Sequence, residues 1–214
     1  MQSDHEFQNW AVIGKGTERV CYQNPSNPAQ CVKLSQKDAA KQTYREIEFF
    51  ERLKKKNVQF AHIPNFLGEV TTETRVGFKQ QVVLDDNLSV SKNLAQYLVQ
   101  QGDNLDIDKL LLAIRVLKDY LLKNRVIPSD LVMTNILVRQ AESDITLYLI
   151  DGFGNTEFIP ISDFIPYLTR KKINRKFKKF LRKNLHLSMQ IRDKDEELAT
   201  YNRKVDEFES LYLK

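Results

Sequence analysis

The chain has 214 residues, 42% hydrophobic and 29% charged, a balance that suits a globular protein and excludes a disordered one. No apolar run approaches bilayer length, and two cysteines with three scattered histidines offer neither a zinc cluster nor a histidine-centred triad. The net charge of +5 is local: Arg170 to Lys183 holds nine basic residues and no acid, and without them 24 basic residues face 28 acidic ones.

Met1 to Asn9 is polar and lacks the apolar core of a signal peptide, so a cytoplasmic protein is expected. Ala11 to Ile13 is a short apolar run that stops at Gly14-Lys15-Gly16. Arg19 to Tyr22 and Cys31 to Leu34 read as two more strands, separated by the turn-rich Asn24-Pro25-Ser26-Asn27-Pro28. Lys37 to Lys56 has no proline or glycine, and Tyr44, Ile47, Phe50 and Leu53 recur at helical spacing. Phe66 to Glu69 and Arg75 to Leu84 look like strands, and Asn93 to Gln100 like a short helix. Asp106 to Asn124 carries the clearest apolar stripe, Leu110, Ile114, Leu117 and Leu121, with Asp106 or Asp108 near its start. A loop follows Val126-Ile127-Pro128. Ile136 to Arg139 and Thr146 to Ile150 read as a strand pair around a turn at Gln140 to Asp144, and the second runs into Asp151-Gly152-Phe153-Gly154. From about Ser162 the chain is helical and charged. A β-rich first part followed by helices and one strand pair predicts an α+β protein in two lobes.

Four features occur in one order: Gly14 and Gly16 in a strand turn, Lys33 in the third strand, Asp130 and Asn135 in one loop, and Asp151 at a strand end before glycine. Singly, each is commonplace as a turn or a solvated charge; the ordered set carries the information. It resembles the protein-kinase fold, with its glycine loop, strand-three lysine, Asp-x-x-x-x-Asn catalytic loop and metal-binding Asp. The chemistry agrees with the residue types. Glycine lets phosphate oxygens approach a backbone closely. Lysine on a rigid strand brings a point charge to the phosphates, and a helix carboxylate fixes it; Glu46 is the expected partner, with Glu48 second. Mg²⁺ prefers hard oxygen ligands, which Asn135 and Asp151 supply. Asp130 is placed to receive the proton of an attacking hydroxyl.

From about Trp10 to Tyr212 the chain resembles the small bacterial kinase-like proteins of the PhoP regulatory network, the YrbL family. It is similar, more distantly, to short bacterial kinases acting on lipopolysaccharide-core sugars. The resemblance implies a kinase-like fold with a β-rich N-lobe (1–86) and a reduced helical C-lobe (87–214), and use of ATP with Mg²⁺. It also puts Cys21 and Cys31 in the roof over the adenine. There they read as two small buried hydrophobes or, alternatively, as a redox-sensitive pair facing each other by symmetry about Ser26.

The departures matter as much. Arg19 stands at the third loop glycine, where it either stiffens the loop or adds charge near the phosphates. Pro128-Ser129 replaces the His-Arg before the catalytic Asp, and Val132 stands where many Ser/Thr kinases carry a lysine. No Ala-Pro-Glu motif follows. Two functional expectations result: a phosphotransferase acting on a lipopolysaccharide sugar, a small molecule or a protein, or a nucleotide-binding pseudokinase with a regulatory role. In the basic stretch Ile173, Phe177, Phe180 or Leu181, and Leu185 form a helical stripe. It reads either as a packed C-lobe face or as a docking surface for an anionic partner or membrane, with nucleic acid ranked last. Ile191, Leu198, Tyr201, Val205, Phe208 and Tyr212 make a heptad-like seam, expected to dock on its own lobe rather than pair two copies.

Overall fold

The computed structural model describes residues 4–153, 166–186 and 195–213. The chain divides into two compact units, Met1–Leu84 and Asp85–Lys214, each with its own core. Gly154 and Ile191 lie outside the described residues. Among the described residues no helix is long and apolar enough to cross a membrane.

The first unit is a five-stranded antiparallel sheet in the order β1-β2-β3-β5-β4. Its strands are β1 (Val12–Lys15), β2 (Val20–Gln23), β3 (Gln30–Gln36), β4 (Phe66–Thr71) and β5 (Arg75–Gln81). Strand alternation sends successive β3 side chains to opposite faces. Val32 and Leu34 join Phe7 and Val70 on one face, with Trp10 and Tyr22 packed against them. The other face takes α1 (Lys41–Lys55), whose Phe50 lies 5.2 Å from Phe66 and 5.4 Å from Phe78, centroid to centroid. Lys33 and Ser35 point to that side; the Ser35 hydroxyl shares a hydrogen bond with Thr43 of α1. The predicted single helix from Lys37 begins instead as a 3-10 turn, Lys37–Ala39, before the α-helix proper. At the N-terminus the Asp4 carboxylate accepts hydrogen bonds from Thr72, Thr74 and Arg75, which hold it well below the usual carboxylate range.

Gly77, opposite Leu34, lets β5 approach β3 closely: a Cβ there would run into the backbone carbonyl of Lys33. Gly77→Ala is therefore expected to cost about 1–3 kcal/mol, the usual penalty of overpacking. A lowered midpoint in urea denaturation checks this.

The second unit pairs helices with a three-stranded antiparallel sheet, β6 (Lys92–Asn93), β7 (Ile136–Gln140) and β8 (Ile145–Leu149). The two-residue β6 has no sequence signature of its own. Helix α2 (Leu94–Gln101) opens on a capping box between Asn93 and Gln96. Helix α3 (Ile107–Lys123) starts at Asp106, whose side chain accepts from the Lys109 amide at 2.9 Å; of the two candidate aspartates, Asp106 is the cap. The α3 stripe is buried, as are Ile136 and Val138 of β7 and Leu147 and Leu149 of β8.

Helix α4 (Pro166–Lys179) continues as a π-helical stretch, Phe180–Leu185, and α5 (Asp195–Tyr212) follows. The predicted stripe is buried throughout: Ile173, Phe177, Phe180, Leu181 and Leu185. Of the seam, Tyr201, Val205 and Phe208 are buried in the unit itself, and Tyr201 donates to the Leu181 carbonyl at 2.8 Å. Arg115 and Lys118 of α3 hold the end of α5 by donating to the hydroxyl and carbonyl of Tyr212, at 2.8 and 2.7 Å. Part of the basic stretch is neutralised here. Arg182 pairs with Asp206 and Glu209, and Lys178 pairs with Glu209. Arg170, Lys171, Arg175, Lys179 and Lys183 stay exposed.

Candidate functional site

The first unit carries the predicted cationic and glycine-rich residues. Gly14 and Gly16 are exposed at the end of β1, where the Gly16 amide donates to the Arg19 carbonyl at 2.8 Å and closes the turn. Two side chains tie this turn to α1. Glu18 caps the helix N-terminus, which has no cap of its own: its carboxylate accepts from the Thr43 amide at 2.9 Å and the Gln42 amide at 3.2 Å. Arg19 makes a bidentate ion pair with Glu46, at 2.5 and 2.9 Å, with both side chains buried.

Sequence reasoning missed this pair. Of the two expectations for Arg19, a stiffer loop or added charge near the phosphates, the pair agrees with the first: it locks the turn to the helix. Glu46 lies on the buried face of α1 and Glu48 on the exposed one, so Glu46 is the carboxylate that faces the sheet. Lys33 is opposite Phe78 in the β3–β5 pair, and its ammonium lies 5.8 Å from that ring. The Arg19 guanidinium lies 5.9 Å from the same ring. Lys33, Arg19, Glu46 and Phe78 thus form one cluster on the α1 side of the sheet.

Cys21 and Cys31 are also neighbours, with a register different from the expected one. Cys21 pairs with Lys33, and Cys31 with Gln23, so the cysteines are diagonal and centred on Asn27 rather than opposed about Ser26. They still share a face and a thiol hydrogen bond. That contact holds the Cys21 thiol below its ordinary value and, with burial, pushes the Cys31 thiol up.

The second unit brings the three acid and amide candidates together. Gly152 has φ +76°, a left-handed conformation open to glycine. A Cβ on it would lie 2.8 Å from the Asp130 carbonyl oxygen and 3.5 Å from the Asn135 side-chain nitrogen. Backbone bonds fasten the strand end to the loop: the Ser129 amide donates to the Gly152 carbonyl at 2.7 Å, and the Ile150 amide to the Asn135 carbonyl at 2.9 Å. Asn135 Nδ2 donates to the Asp130 carbonyl at 3.4 Å, while the Asp151 carboxylate accepts from the Gly152 amide at 2.7 Å. Asp130 itself is exposed.

A second residue escaped sequence reasoning. Lys176 of α4 donates to the Ser129 carbonyl at 2.8 Å, within this loop. Its membership of a uniform basic run concealed it, and only the helix phase, set by Ile173 and Phe177, singles it out.

The donor set fits a magnesium-nucleotide. Among the described residues no three His, Cys, Asp or Glu side chains gather into a cage. A metal shared with triphosphate needs only one or two protein oxygens, and Asp151 with Asn135 Oδ1 offers that number.

Comparison with known proteins agrees with the architecture. The kinase domain of PknI from Mycobacterium tuberculosis superposes with a TM-score of 0.51 at 14% identity, covering 84% of this chain and 77% of that one. A double-mutant form of the same domain gives 0.52 with the same identity and coverage. At such identity the likeness speaks for the fold, which is the protein-kinase fold. The YrbL proteins of Escherichia coli (strain K12) and Shigella flexneri are each 28% identical over 173 residues, covering 79% of this chain and 82% of theirs. The profile described as PhoP regulatory network protein YrbL matches residues 6–185. With its kinase fold and a match running through both units, the chain belongs to the YrbL family.

Proposed function

We propose that this protein binds ATP with Mg²⁺ and transfers the γ-phosphoryl group to a hydroxyl acceptor. The observation that carries the reading is the seating of Gly152 against Asp130 and Asn135, which gathers a base candidate and two hard-oxygen ligands at one strand end. Lys33 serves the α- and β-phosphates, and the turn at Gly14 and Gly16 leaves room for phosphate oxygens beside the backbone. Cys21 and Cys31 belong to the adenine side of the nucleotide. Asp151 and Asn135 hold the metal, which neutralises charge on the phosphates when bound. In transfer the bond between Pγ and the β–γ bridging oxygen breaks and ADP leaves with its electron pair. The acceptor oxygen bonds to Pγ, and Asp130 takes the hydroxyl proton. The acceptor classes are a lipopolysaccharide sugar, a small metabolite or a protein.

A second reading, a nucleotide-binding pseudokinase acting on a partner, draws on the Arg19–Glu46 pair, which engages the helix carboxylate that a kinase uses for its lysine. Transfer of the labelled γ-phosphoryl group of ATP to a component of cell extract, measured against extract without the protein, separates the two readings. Both require nucleotide binding. A thermal-shift titration is expected to show stabilisation by ATP that depends on Mg²⁺, by about 2.7 kcal/mol at a hundred times Kd. No shift at millimolar ATP would remove both.

A further inference from the structure

Transfer of a phosphoryl group spreads negative charge over three oxygens, and cations nearby lower the barrier. The loop from Pro128 to Asn135 brings Asp130 to that position yet contains no basic residue. The cation there comes from elsewhere in the unit. Ile173 and Phe177 are buried and fix the rotation of α4, which carries Lys176 into the loop at Ser129.

We propose that Lys176 is the γ-phosphate-binding cation of this site, held beside Asp130 by its hydrogen bond to the Ser129 carbonyl. The proposal rests on the nucleotide reading above and deepens it. The tether carries the proposal, and the surrounding charges agree with it. The ammonium is half-buried and tethered 2.8 Å from a loop carbonyl one residue before Asp130. Burial pulls its pKa below the ordinary lysine value. Arg175, Lys179 and Lys172 crowd it with like charge and act in the same direction. Asp130 is the opposing charge that favours its protonated form. A strut to a backbone carbonyl needs only a neutral donor. A half-buried ammonium among three like charges, with the Asp130 carboxylate acting on it, is instead an electropositive corner prepared for a dense anion.

The test uses the full chain with Mg²⁺ and two probes, ATP and ADP, titrated calorimetrically against wild type, Lys176→Met, Lys176→Gln and Lys176→Arg. Wild type is expected to prefer ATP over ADP. Met and Gln should each lower ATP affinity about tenfold or more, as loss of a charge-assisted contact does, and leave ADP affinity unchanged. Arg should restore the preference. Gln keeps a donor for the Ser129 carbonyl, so it controls for loop collapse. If ATP and ADP affinities fall together in Met and recover in Gln, Lys176 is a strut and the proposal is overturned. An ATP-to-ADP ratio equal in all four proteins overturns it too, while nucleotide binding stands. A wild type that binds neither probe overturns both the proposal and the reading beneath it.

Discussion

Asp151→Ala is expected to abolish Mg²⁺-dependent ATP binding, whereas Asp130→Ala keeps binding and loses turnover by about 10²–10⁴-fold, the usual worth of a positioned general base. The two aspartates sit on one loop and strand end, so a general disturbance of that region would affect both variants alike. Their separate roles predict a split. In the proposed reading Asp151 is the anionic ligand; removing it leaves only the neutral Asn135 Oδ1, and no carboxylate of the pair remains to hold a metal shared with phosphates. Asp130 is exposed and joins the local framework through its backbone: its carbonyl accepts from Asn135 Nδ2, and its side chain projects to solvent. Truncating it leaves that framework in place. Calorimetry reads the first effect, and transfer of the labelled γ-phosphoryl group to cell-extract acceptors, against extract without the protein, reads the second. Normal turnover in both variants would end the phosphotransferase reading, and binding lost equally in both would point to collapse of the loop.

The contrast between what was readable and what was not follows sequence distance. Asp130, Asn135 and Asp151 stood out because the Asp-x-x-x-x-Asn spacing is local and Asp151 ends an apolar strand, so neighbouring residues already predict where each side chain goes. The α3 stripe and the Asp106 cap were visible for the same reason, being periodic or adjacent. Arg19 was not. It stood at a position where glycine was expected, and its partner Glu46 is 27 residues away, beyond two strands and the turn that joins them. Lys176 lies 47 residues from Ser129 in a run where every third residue could have been the one chosen. The cysteine register is off by two residues, Cys21 facing Lys33 instead of Cys31, because the turn between β2 and β3 is centred on Asn27 and not on Ser26, and nothing in a segment dense with Asn and Pro indicates which residue will be the midpoint. Charge sums misled in a similar way. The basic stretch looked like a uniform patch, yet Arg182 and Lys178 are spent on Asp206 and Glu209 of a helix about two dozen residues further on.

Glu46→Ala is expected to cost about 3–5 kcal/mol of stability, the range found when one partner of a buried ion pair is removed. The Glu46 side chain is fully buried and that of Arg19 is 9% exposed, so water cannot replace the missing carboxylate. Without it the Arg19 guanidinium and the Lys33 ammonium, 5.9 and 5.8 Å from the Phe78 ring, lose the Glu46 carboxylate from their shared region. Gln42, whose side chain donates to Glu46 at 3.2 Å, loses its acceptor as well. The consequence extends along the turn: Arg19 follows Glu18, which caps α1, so releasing the arginine loosens the bridge between the glycine turn and the helix. Arg19→Leu should likewise be costly, because it leaves the buried carboxylate without its bidentate donor. The double variant Arg19→Leu with Glu46→Leu is expected to be much milder than the sum of the single variants Arg19→Leu and Glu46→Leu, since replacing a whole buried pair by apolar side chains removes the desolvation cost along with the attraction. Urea midpoints of the four proteins measure that coupling. Strict additivity would mean that the two side chains do not depend on one another, and that the glycine turn is held to α1 by Glu18 alone.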